Sequence, residues 1–204
     1  MSSPHDPRDE LAEKLADRIL LDAIGSAASS GLVLTRPADA EGALFVSDNL
    51  QAALKGRGAL VIFASLDGAS SADSIISSLV CEAIQRMDRG VVVGADEAVN
   101  AAAALPENQV GIGRAVTLCS ALVMLSELSQ KVIVLIIDEV QRAQDTPEGK
   151  AILYALKAAR DELNSSRHRG LRVVLVGADE DHLRMLCTAS DQAFFATPMV
   201  HLTL

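Results

Sequence analysis

Short strands that are apolar on both faces, alternating with helical stretches, predict an α/β protein: a three-layer sandwich with a parallel sheet between two layers of helices. Two observations carry this. The strand-like runs Leu60–Ala64, Val132–Ile137 and Arg172–Val176 are continuously apolar or nearly so, where a half-exposed sheet would alternate. The segments between them place apolar residues three and four apart, the spacing of a helix with one buried face.

The elements follow in order. Asp6 and Pro7 are an N-cap and first-turn pair, and Leu11, Leu15, Ile19 and Leu20 recur at helical spacing until Gly25 and the small residues up to Gly31 end the pattern. Leu32–Thr35 reads as a buried strand, bounded by Gly31 and by Arg36-Pro37. Residues 41–55 are helical and stop at Gly56 and Gly58, and Leu60–Ala64 is the second strand. Ser71–Met87 puts Ile75, Ile76, Leu79, Val80, Ile84 and Met87 on one helical face, capped by Ser70 or Ser71. Residues 90–114 read as an irregular insert, with a valine triplet, an alanine-rich stretch and Pro106. Ala115–Leu128 is a helix and Val132–Ile137 the strongest strand. Thr146-Pro147 opens a helix to about Leu163. Arg172–Val176 is the fourth strand, Asp181–Cys187 a short helix, and Val200–Leu204 a fifth strand.

At 204 residues the chain is one domain, or one domain with a short appendage. We divide it into an N-terminal helix and linker (1–30) packed on an α/β core (31–204). The longest apolar run, Val132–Ile137, falls far short of the roughly 18–20 residues that span a bilayer, and the N-terminus is polar, so a cytoplasmic protein with no membrane partner is expected. The net charge of −9, from 18 basic and 27 acidic residues, gives no support to a nucleic-acid partner. Cys81, Cys119 and Cys187 are odd in number and widely spaced, and read as reduced core residues.

The chemistry-bearing feature is the acidic pair Asp138-Glu139 at the end of the strongest strand, followed by Val140-Gln141. In an open parallel sheet ligands bind at the carboxyl ends of the strands. One carboxylate there can hold a Mg2+ shell while a second orients the attacking water. The bland alternative is a buried strand that meets solvent at an acidic turn.

The stretch VIVLIIDEVQ resembles the Walker B motif of AAA+ ATPases, within the P-loop NTPase superfamily, and most the origin-recognition, TniB and ExeA-like group whose Walker B is followed by a glutamine. The order of elements from about residue 10 to 204 is similar to that family's core, which implies a five-stranded parallel sheet of order 5-1-4-3-2. The resemblance implies ATP and Mg2+ as ligands, Asp138 as metal ligand and Glu139 as the catalytic residue that activates water.

The departures are as informative. Where the family carries G-x-x-x-x-G-K-[ST] after the first strand, this chain reads Thr35-Arg-Pro-Ala-Asp-Ala-Glu-Gly-Ala-Leu44. With Gly42 at the second glycine position, Pro37 falls at the first, Ala43 at the lysine and Leu44 at the hydroxyl. Asp39 and Glu41 bring negative charge to the place of the triphosphate. Arg36 is the nearby cation that could compensate as a cofactor-binding residue; an ordinary surface role is the alternative. At the fourth strand the family's polar sensor is replaced by Val176-Gly-Ala-Asp179, leaving Asp179 as the nearest polar side chain, and the family's helical lid after the fifth strand is not expected.

Arg167, His168 and Arg169 read as an arginine-finger candidate or a solvated turn. Asp179–His182 has metal-ligand residue types, but helix capping explains it better. Gly111–Gly113 and Asp67-Gly68 read as loop and turn. Three functional readings result. One is a degenerate ATPase module, regulatory or for assembly, acting through protein partners or self-association. Another is an active ATP-hydrolysing switch, in a setting such as DNA mobility or defence. The third is a doubly wound α/β domain that binds a small ligand at its switch point, which a strand order other than 5-1-4-3-2 would establish.

Overall fold

The computed structural model describes residues 6–21, 31–68, 71–88, 117–165 and 168–204. The expected insert at 90–114, the glycine pair Gly111 and Gly113, the cap at Ser70, the linker 22–30 and Arg167 lie outside the described residues.

Helix α1 (Pro7–Leu20) starts where expected, because the Asp6 carboxylate accepts the Arg8 N–H. Strand β1 (Gly31–Thr35) leads into a helical stretch in three parts: α2 (Ala40–Leu44), a π-helical turn (Phe45–Leu50) and α3 (Gln51–Gly56). Phe45, Val46 and Leu50 in the wider turn and Gln51 just after it are all buried. Then come β2 (Leu60–Ser65), α4 (Ala72–Asp88), α5 (Leu118–Ser129) and β3 (Ile133–Asp138). A short α6 (Gln141–Gln144) precedes α7 (Pro147–Ser165), β4 (Leu171–Gly177), α8 (Glu180–Thr188) and β5 (Met199–His201).

The five strands form one sheet of order β2-β3-β4-β1-β5, all parallel, the expected 5-1-4-3-2 arrangement. Every residue of β3 and β4 is buried, and alternate side chains feed opposite layers. Ile133, Leu135 and Ile137 pack with α4, α5, α7 and α8, whereas Val134 and Ile136 pack with α1, the π turn and α3. On that second face α1 contributes Ala12, Leu15, Ala16 and Ile19, and Arg57 at the end of α3 pairs with Glu13 and Asp17.

One expectation is corrected, and one helix was not expected. Strand β5 is shorter than residues 200–204: its neighbour β1 ends at Thr35, whose carbonyl accepts the Leu202 N–H as the last ladder contact. Helix α6, directly after the acidic pair, is too short to leave a periodic signal. Cys187 is buried and Cys81 and Cys119 are half-buried, all three free thiols. Among the described residues no helix is long and apolar enough to cross a membrane.

Candidate functional site

Asp138 is the last residue of β3, level with Ser65 of β2, one step past the Ile137–Leu175 pair with β4. The chain then turns sharply. Glu139 adopts a left-handed backbone (φ 58°), and Val140 N–H donates to the Val176 carbonyl before α6 begins. Such a backbone is costly for a side-chain-bearing residue and persists where surrounding contacts fix it. Here it brings Glu139 alongside Asp138, whose Oδ1 accepts the Glu139 N–H at 3.0 Å.

Arg36 is the first residue past β1, and its N–H donates to the Gly177 carbonyl at the end of β4. Its side chain reaches past that end to the acidic pair. Nε donates to Asp138 Oδ1 (3.0 Å), while Nη2 donates to Asp138 Oδ2 (3.2 Å) and Glu139 Oε1 (2.5 Å). Nη1 donates to the Pro37 carbonyl at 3.1 Å. The Arg36 and Asp138 side chains are each 7% exposed and that of Glu139 18%, so the surface role considered for Arg36 is overturned. Burial alone would lower the Arg36 pKa; the hydrogen bond and charge of Asp138, with Glu139 and Asp39, outweigh it and hold the guanidinium above its ordinary value. Glu139 Oε2 in turn accepts from Gln141 Nε2 at 2.6 Å. The Gln141 carboxamide lies against Gly177, where a Cβ would come within 2.3 Å of its Oε1. All four carboxylate oxygens of the pair are therefore engaged.

The turn after β1 is satisfied from within as well. Asp39 caps α2, its Oδ1 accepting the Gly42 N–H at 2.8 Å. Gly42 sits so close to Pro37 that a Cβ would lie 2.5 Å from the Pro37 carbonyl oxygen. Leu44, at the hydroxyl position, is 53% exposed, and Glu41 pairs with Arg8 (2.8 Å).

Asp179 is the N-cap of α8. It accepts the His182 N–H at 3.1 Å and pairs with His182 Nδ1 at 2.8 Å. The bonds from the His182 backbone and then its ring hold the Asp179 carboxyl below the usual range. With Gln141, Ala178, Glu180 and Asp181 it lines an open cleft of about 640 Å3. Among the described residues no group of three or more metal-ligating side chains converges. His168 and Arg169 precede β4, at the opposite end of the sheet from the acidic pair.

The sheet order and its neighbours decide the fold. Over 96% of this chain and 53% of the other, the structure is similar to a Walker-type ATPase of Pyrococcus abyssi (TM-score 0.57, 16% identity). It is similar to the ORC2 protein of Aeropyrum pernix in ADPNP and ADP complexes over 99% of this chain and 50% of that one (TM-score 0.56, 18% identity). The ORC1 protein of the same organism, solved with DNA, matches over 98% of this chain and 46% of its own (TM-score 0.50, 13% identity). This chain has the AAA+ P-loop ATPase fold. It spans about half the length of those structures. No protein-family model matches the sequence, and no curated protein matches it.

ATP and Mg2+ are the groups this AAA+ fold implies, and the residues present do not fit them. Each oxygen a cation would need already accepts from Arg36, the Glu139 backbone or Gln141, and alanine and leucine stand at the lysine and hydroxyl positions. Sequence reasoning placed Asp138, Glu139 and Arg36 at the same sheet end but missed the bridge between them and the part played by Gln141. The glutamine two residues after Glu139 was the available signal.

Proposed function

We propose that this chain is an AAA+-fold module with an eroded nucleotide site, a cytoplasmic regulatory or assembly component that acts through protein partners or self-association. The observation that supports this most directly is the Arg36 guanidinium seated on both Asp138 and Glu139. Phosphoryl transfer depends on a metal and positioned cations at the phosphates. A site whose acids hold an arginine, and whose helix start is capped by Asp39, has neither free. We read residues 31–204 as the core of this module and 1–30 as its helical appendage, in keeping with the apolar face that α1 shares with the core.

One observation favours the second reading, an active ATP-dependent switch with Asp138 on Mg2+ and Glu139 activating water. The acidic pair is retained at the strand end, with Gln141 fixing Glu139. In that reading Arg36, Gly42 and Asp179 would face the nucleotide, and action on DNA, as with the ORC1 protein solved on DNA, would need a partner to offset the net charge of −9.

Isothermal titration of ATP with Mg2+ into the protein and into Asp138→Ala separates the two. The module reading expects no binding heat at millimolar nucleotide in either protein. Micromolar binding that Asp138→Ala weakens would overturn it in favour of the switch.

A further inference from the structure

We infer that Arg36 is the resident cation of this site: its guanidinium holds the place between Asp138 and Glu139 that a divalent metal ion would take, and removing it opens the pair to Mg2+ or Mn2+. The inference deepens the degenerate-site reading above and rests on it.

Two carboxylates this close, 7% and 18% exposed, need a counter-charge, because neighbouring like charges in a partly desolvated place repel. Arg36 supplies it with a fork that fits both. Nε and Nη2 take the two oxygens of Asp138 in parallel, and Nη2 also reaches Glu139. The arrangement is built rather than incidental. The Arg36 backbone is fixed to Gly177, and Nη1 is held by the Pro37 carbonyl. An arginine keeps its proton across the physiological range, so no pH change there vacates the site. A divalent ion must displace the guanidinium, strand it without a carboxylate partner, and give up its own water. A small hard cation is the class the vacated pair would take, since the donors facing it are the carboxylate oxygens of Asp138 and Glu139. If the Arg36-displaced state is populated to a tenth or less, removing the side chain tightens metal binding by about tenfold or more.

The test is titration of Mn2+ alone, followed by the spin resonance of the free ion. It uses the wild-type chain, Arg36→Met, which keeps most of the stem volume, and the double variant Arg36→Met/Asp138→Asn. Wild type should leave the ion free at concentrations where Arg36→Met takes up one equivalent, and Asp138→Asn should abolish the uptake. Wild type binding Mn2+ as tightly as Arg36→Met overturns the inference, as does a folded Arg36→Met with no gain. If circular dichroism shows Arg36→Met unfolded, Mn2+ is added during refolding. Recovery of the fold supports the inference, because a ligand of the native state stabilises it, and failure at millimolar ion counts against it. Binding of ATP with Mg2+ by a wild type that ignores Mn2+ would overturn the degenerate-site reading alone.

Discussion

The Arg36–Asp138 pair lends itself to a double-mutant cycle. At 3.0 Å and an effective dielectric near 20, one pair of unit charges attracts by about 5 kcal/mol, and desolvation of both partners opposes this. Removing one partner leaves an uncompensated buried charge, so Arg36→Met should cost about 3–5 kcal/mol. Asp138→Asn should cost less, since Glu139 remains to Arg36. The double variant should cost less than the sum of the singles, with a coupling of about 2 kcal/mol or more. With no tryptophan and one tyrosine, fluorescence is a poor probe, so urea unfolding is followed by far-ultraviolet circular dichroism. An Arg36→Met cost below about 1 kcal/mol with no coupling is the behaviour of a solvated surface pair. It would refute the buried clasp and the picture of the site built on it.

Three other outcomes are expected. Gly149 packs α7 on α6 so tightly that a Cβ would lie 2.1 Å from the Ala143 carbonyl oxygen. Gly149→Ala should therefore cost about 2–3 kcal/mol and lower the melting temperature by roughly 4–12 °C, and a shift under about 2 °C would contradict that packing. Gln130 closes α5 with φ 52°, so Gln130→Gly should stabilise by about 0.5–1 kcal/mol in chemical denaturation, despite losing the side chain's bond to the Glu127 carbonyl. Burial pushes the Cys187 thiol up to about 11 from 9.0, so the fold favours the neutral form. Its contribution is complete below about pH 9 and is lost as pH rises toward 11, by up to about 2 kcal/mol; Cys187→Ala should flatten wild type's decline over that range.

The fold was largely legible because its signals are local. β3 and β4 are apolar without interruption since both faces are covered, and the caps Asp6 and Asp179 announce their helices. The sheet order was not in the periodicity of any strand; it came with the likeness carried by VIVLIIDEVQ. The site was half legible. Asp138 and Glu139 stand out at a strand end, but the partner of Arg36 lies 102 positions away in sequence, and side-chain reach across a sheet leaves no mark in either segment. The π turn was hidden for a related reason, since one residue's change of period is lost within a helical pattern.

Strand β1 lies between β4 and β5, both from the far half of the chain, whereas β2 and β3 pair without it. Contacts of such long sequence separation are slow to form, because the loop they close must be ordered first. The β2-β3-β4 portion can assemble while β1 is still unpaired, and Arg36, one residue beyond β1, cannot reach Asp138 until β1 docks. If β1 docks only after those three strands have paired, the clasp forms late in folding. Its loss should leave the refolding rate nearly unchanged and appear as faster unfolding, so that Arg36 governs how long the native state survives rather than how quickly it is reached.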